Sequence, residues 1–277
     1  MLSTPLKRAD LGHYRRKMRS FSRRVEFPYS IAVLVVVGVF WEFMTRWGHV
    51  SPIILPRPTA IISDLIIHWH LFLSQAGMTL LEIVIGFLTS MAVAIPLAML
   101  LGASRTVERM LYPIIVGSQT VPVVSIAPIL LAWFGFGLKP KVIVVVLITF
   151  FPIMMNAFAG MRAMSEQVHN LARSMGASRF QLFWHFQLPG ALPNIFSGMK
   201  IATTLSVVGA VVAEFVGSDS GLGYEIMVAG SNLDLAHQFA AVSVLTVMGL
   251  TLFAIMSRLE KVCLPWHISV RSAHNSR

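Results

Sequence analysis

A chain of 277 residues could hold one or two soluble domains, but 56% hydrophobic and 12% charged residues with a mean hydropathy of +0.73 point to a membrane protein. The net charge of +10 would suit nucleic acid if the bases formed a patch beside aromatic platforms; they sit instead in short stretches between apolar runs, which argues against that partner. The single Cys263 excludes an internal disulfide and any multi-cysteine metal site.

Residues 1–28 are polar and basic, with Lys7, Arg8, Arg15, Arg16, Lys17, Arg19, Arg23 and Arg24. No small-residue cleavage site follows an apolar core of signal-peptide length, so a retained cytoplasmic tail along anionic headgroups is expected. Residues 29–262 form the membrane domain. A first span runs from Tyr29 to Trp47, with Trp41 and Trp47 as interface anchors. After Pro52, Pro56 and Pro58, the amphipathic stretch Thr59 to Trp69 suits the interface rather than a crossing. Further spans are expected at Gly77–Leu101, Pro113–Phe134, Val142–Met161, Ile195–Val216 and Phe239–Leu259. Each approaches the ~20 residues that cross about 30 Å of hydrocarbon. Pro122 and Pro128 should kink or break the third, placing it against a pathway rather than lipid. Residues 263–277 form a second cytoplasmic tail. The fold class is therefore an all-α polytopic membrane protein with about six transmembrane helices.

Charge orients the bundle. With the amino terminus inside, 18 of the 22 Lys and Arg residues fall on the cytoplasmic side, leaving Arg46, Arg57, Lys139 and Lys141 outside. Both termini are then cytoplasmic, and so is the interval 165–193.

That interval, SEQVHNLARSMGASRFQLFWHFQLPGALP, reads as two short helices. Ser165 caps the first, Glu166 suits its opening turn, and Gly176 ends it with a left-handed residue. Ser178 with Gln181 makes a capping box for the second, which Pro189 and Pro193 should close. Val168, Leu171, Ala172 and Met175 share one apolar face. Two readings cover that face: it packs back on the protein's own spans, or it docks a separate soluble subunit.

The stretch resembles the EAA loop of ATP-binding cassette (ABC) import permeases, whose pattern is Glu-Ala-Ala, three residues, Gly, nine residues, Ile-x-Leu-Pro. Asn170-Leu171-Ala172 stands three residues before Gly176, and nine more lead to Phe186-Gln187-Leu188-Pro189. Asn170 replaces the acid, so a charged contact there is not carried over; the glycine turn and apolar knob are. Leu55-Pro56-Arg57-Pro58-Thr59, Leu130 to Gly137, Phe150-Phe151-Pro152, and Val211 to Phe215 followed by Gly221-Leu222-Gly223-Tyr224 are also similar to permeases for sulfonates, nitrate, taurine and thiamine or pyrimidine precursors. The resemblance implies a type I importer fold in a bacterial inner membrane and a pathway between two copies of the chain. It also implies a pair of ATPase subunits holding ATP and Mg, and an extracytoplasmic solute-binding protein that delivers a small organic solute. ATPase coupling would fall on Val168, Asn170, Leu171, Ala172, Met175, Gly176, Ser178, Leu188 and Pro189.

The chain itself is not expected to be an enzyme or to hold a cofactor. It has no Gly-x-x-x-x-Gly-Lys-Ser/Thr, no His-Glu-x-x-His and no Gly-x-Ser-x-Gly, and no metal site is evident, since His68 and His70 do not share a helix face. Pathway candidates are Gln119, Thr120, Asn156, Thr203, Ser206 and Glu214, although small hydroxyls commonly bond their own backbone. Glu82 suits a helix-to-helix contact and Glu214 an outer gate. An ion-coupled secondary carrier is the alternative, but two sparse carboxylates and no internal repeat give it little.

Overall fold

A computed structural model describes residues 32–265 apart from 34, 49, 50, 52 and 165. The basic tail 1–28, the first span's start at Tyr29, the Ser165 cap and residues 266–277 lie outside the described residues.

Among the described residues all the regular structure is helical. Residues 35–47 form α1, followed by α2 (Pro58–Ile67), α3 (Trp69–Ala103), α4 (Arg105–Ser118), α5 (Val123–Phe134) and α6 (Leu138–Arg162). Then come α7 (Glu166–Ser174), α8 (Arg179–Leu182), a π-helical turn Phe183–Gln187, α9 (Leu188–Gly217), α10 (Leu222–Ser231) and α11 (Leu235–Cys263). Among the described residues four helices are long and apolar enough to cross a membrane, or five if α4 and α5 are one broken span. The remaining expected span is represented by α1.

That broken span bends by 91°. Ser118 Oγ donates to the Ile115 carbonyl and Thr120 Oγ1 to that of Gly117, drawing off the last turn of α4, and Pro122 brings no N–H to continue it. The kink read from Pro122 is thus a near right angle, and α4 starts at Arg105, well before the expected Pro113. Pro128 lies inside α5 without ending it.

The centre of the bundle is α6, sandwiched between α9 and α3. Ala94, Ala98 and Leu101 of α3, Ile153, Met154 and Ala157 of α6, and Ala191, Ile195 and Ala202 of α9 form its buried heart. Small residues let the axes approach, as suits helices whose association depends on close packing. At Gly198 an added Cβ would stand 2.7 Å from both the Pro152 carbonyl oxygen and Asn156 Cβ.

One expectation is corrected. Pro189 and Pro193 do not end the second loop helix: the chain continues from Phe180 to Gly217 as one apolar segment, with the π turn widening the backbone just before Pro189. Proline costs least in a first turn, where its N–H would be unused, and Pro189 occupies that position of α9. Residues 218–221 turn the chain from α9 into α10, where Leu222 and Ile226 bury the inner face against Ala240, Ala241 and Leu245 of α11.

Candidate functional site

The loop between α6 and α9 projects from one end of the bundle. Its first helix ends in a Schellman arrangement: the Ala177 N–H donates to the Ala172 carbonyl at 3.0 Å and the Gly176 N–H to that of Arg173 at 3.0 Å. Gly176 has φ +81°, open to glycine and costly for a side chain. The expected capping box is present, with the Ser178 N–H donating to Gln181 Oε1 (2.9 Å) and the Gln181 N–H to Ser178 Oγ (3.2 Å).

The apolar face divides. Ala172 is 4% exposed and turned toward the protein, whereas Leu171 and Met175 are 62% and 79% exposed. Val168 and Asn170 are exposed as well, and beyond the turn Phe180 is too. Leu182 is buried and anchors the second helix. The exit is pinned by Gln187, whose Nε2 donates to the Met161 carbonyl at 2.9 Å, an orphan acceptor in the last turn of α6. Leu188 and Pro189 then begin α9. At the same end Arg162 pairs with Glu108 of α4, and Lys200 of α9 lies 2.8 Å from Glu260 of α11. The knob therefore stands on helices that are tied to one another.

The opposite end holds a chain of buried polar groups. Lys141 Nζ of α6 donates to Glu82 Oε1 of α3 at 2.8 Å. Glu214 of α9 accepts from Thr79 Oγ1 at 2.7 Å and from the Gly223 N–H, while Thr79 Oγ1 accepts the Leu222 N–H at 2.8 Å. Gln75 continues outward: Oε1 accepts the Gly221 N–H (2.7 Å) and Nε2 donates to Glu225 Oε1 (2.8 Å). The start of α10 is thus held by side chains of α3 and α9, satisfying donors that a helix amino terminus leaves free. Glu82 makes the helix-to-helix contact expected of it. Lys141, counted from sequence among outer bases, is buried instead; a lysine just inside an apolar run at the depth of an opposing glutamate was the available signal.

The pathway candidates do not converge. Thr203 Oγ1 and Ser206 Oγ bond the carbonyls of Met199 and Thr203, and both residues are buried. Asn156 Nδ2 donates to the Pro152 carbonyl of its own helix. Glu214 is fully buried in the α10 cradle, whereas Gln119 and Thr120 are exposed at the α4–α5 break.

Apolar crossing helices, a broken span and a two-helix projection define a polytopic helical membrane protein. Residues 94–265 match the family described as binding-protein-dependent transport system inner membrane component, and the chain belongs to that family. It is 38% identical to the formylaminopyrimidine transport permease protein ThiX of Halalkalibacterium halodurans, over 84% of this chain and 93% of that one. It is 33% identical to the riboflavin transport system permease protein RibX of Chloroflexus aurantiacus (85% and 89%). With the taurine transport system permease protein TauC of Escherichia coli it shares 29% identity over 92% and 98%. These relatives bear out the ABC permease resemblance read from the motifs.

Proposed function

We propose that this chain is the membrane-spanning subunit of an ATP-driven importer in a bacterial inner membrane. Two copies form the pathway, and each grips one separate ATPase subunit through α7, the Gly176 turn and the start of α8. The loop end and both termini face the cytoplasm; a solute-binding protein delivers substrate at the α10 end. ATP and Mg belong to the ATPase partners.

The observation that carries this reading is the capped two-helix knob, with Leu171, Met175 and Phe180 presented to water around the Gly176 turn. Such apolar side chains on a rigid turn are poor solvent-facing residues and good docking contacts. ATP binding draws the two ATPases together and moves the knobs with them. A rigid knob transmits a contact energy that differs between two bundle arrangements, which is what biases one over the other. The solute is a small compound of the pyrimidine-precursor, sulfonate, taurine or nitrate kind; the resemblance to ThiX supports the first. The ion-coupled carrier loses ground because Glu82 and Glu214 are engaged in helix-to-helix bonds.

The test starts from a Cys263→Ser background, since Cys263 is exposed. Leu171→Cys should react with a membrane-impermeant maleimide only in inside-out vesicles, and co-expressed ATPase should protect it. Labelling from the outside, or no protection by an ATPase that co-purifies, overturns the assignment.

A further inference from the structure

We propose that Asp64, His68 and His237 form a site for a divalent transition metal of the zinc type, at the end of the bundle away from the α7–α8 knob. The three residues offer ligand atoms that all lie within 4.8 Å of one another. Asp64 stands in the last turn of α2, His68 follows that helix directly, and His237 opens α11, so the cluster joins two elements far apart in sequence. His68 Nδ1 is 2.8 Å from Asp64 Oδ1, and His237 Nδ1 is 2.9 Å from Asp64 Oδ2. A tetrahedral zinc with bonds of about 2.0–2.2 Å spaces its ligand atoms roughly 3.4 Å apart, so the pairs at 2.8 and 2.9 Å need open only slightly to admit it.

Two features distinguish this cluster from an ordinary carboxylate between two histidines. Asp64 Oδ2 is buried and accepts no hydrogen bond, despite the nearness of His237 Nδ1. The other nitrogen, Nε2, lies 3.4 Å from Glu225 Oε2, and Glu225 is itself held by Gln75 Nε2 at 2.8 Å. A carboxylate beside the far nitrogen of a ligating imidazole is the kind of neighbour that orients a metal-bound histidine. With the proton on Nε2, Nδ1 stands as a bare acceptor 2.9 Å from a carboxylate oxygen, and a cation bound to both would replace that repulsion with two bonds.

The scaffold is set before any ion binds. The His237 ring stacks on Phe72 with centroids 4.8 Å apart, and Asp234 caps the turn that carries it by accepting the His237 N–H at 3.1 Å. On the other side Thr59, at the start of α2, donates to Glu42 of α1 through its N–H (3.1 Å) and Oγ1 (3.0 Å). The His68 side chain is 45% exposed, which gives an ion access from water. Two imidazoles and one carboxylate suit zinc, copper or nickel; calcium and magnesium favour oxygen-only sets. A bound ion would clamp α2 to α11.

The experiment uses the full chain, purified through a tag without histidines, stripped with a chelator and reconstituted in lipid nanodiscs. Titration with Zn²⁺ alone is followed by calorimetry, and with Co²⁺ by visible absorption. The expected result is one ion per chain with a tetrahedral cobalt spectrum. His68→Gln and His237→Gln should each weaken binding at least about tenfold, and Glu225→Gln by about 10–100-fold. His70→Gln should change nothing. No saturable binding by the folded wild type, or undiminished binding by His68→Gln, overturns the site; His68 is exposed enough that this variant should fold. Metal binding is read without transport, so this result is independent of the importer assignment.

Discussion

Lys141 Nζ and Glu82 Oε1 lie 2.8 Å apart with side chains only 5% and 1% exposed, and they join α6 to α3 across the interior of the bundle. Removing one partner strands a buried charge, at a cost of about 3–5 kcal/mol, whereas replacing both with apolar groups of similar size is far milder. Lys141→Met and Glu82→Leu should each sharply lower the thermal midpoint in detergent, and the double variant should regain most of the loss. Additive losses would show that the two groups do not act as a pair.

Thr79 serves both sides of the α10 junction, donating to Glu214 and accepting from Leu222. Thr79→Val removes both bonds and leaves two buried partners unmet, which should cost on the order of 1–3 kcal/mol. Thr79→Ser keeps the hydroxyl and should recover most of it. Hydrogen exchange of the Leu222 and Gly223 amides would locate the loss at the start of α10.

The contact of Gly198 with α6 leaves no room for a side chain, since the crowding atoms are a carbonyl oxygen and a Cβ rather than a flexible tip. Gly198→Leu should push α9 off α6 and cost at least about 1–3 kcal/mol, seen as poor monodisperse yield. The same change at Gly77, where no atom lies within 4 Å of an added Cβ, should be tolerated.

Gly176→Val meets open space as well, so its penalty comes from the φ of +81° and not from crowding. The expected phenotype is folded, membrane-inserted protein with lowered stimulation of the ATPase by loaded binding protein. Gly176→Asn, which tolerates the left-handed region better, should fall between wild type and Val. Equal coupling in all three would break the link between the turn and the motor.

Pattern alone determined the helical membrane class, the break near Pro122, the Gly176 turn and the Ser178–Gln181 capping box. Each of these depends on hydrophobic run length or on interactions within about four residues of chain. The Pro189 boundary failed because a proline in a first turn looks, in sequence, much like one after a last turn.

Only the tertiary fold decided that Lys141 turns inward to Glu82, that Glu214 cradles α10, and that His237 reaches Asp64 and His68. These partners lie far apart along the chain, and a buried polar group takes whichever complement packing brings within reach. The fold likewise settled the face of α7, where Ala172 goes inward while Leu171 and Met175 remain in water. Spacing defines a stripe of side chains; which half of the stripe is covered depends on the helices beneath it.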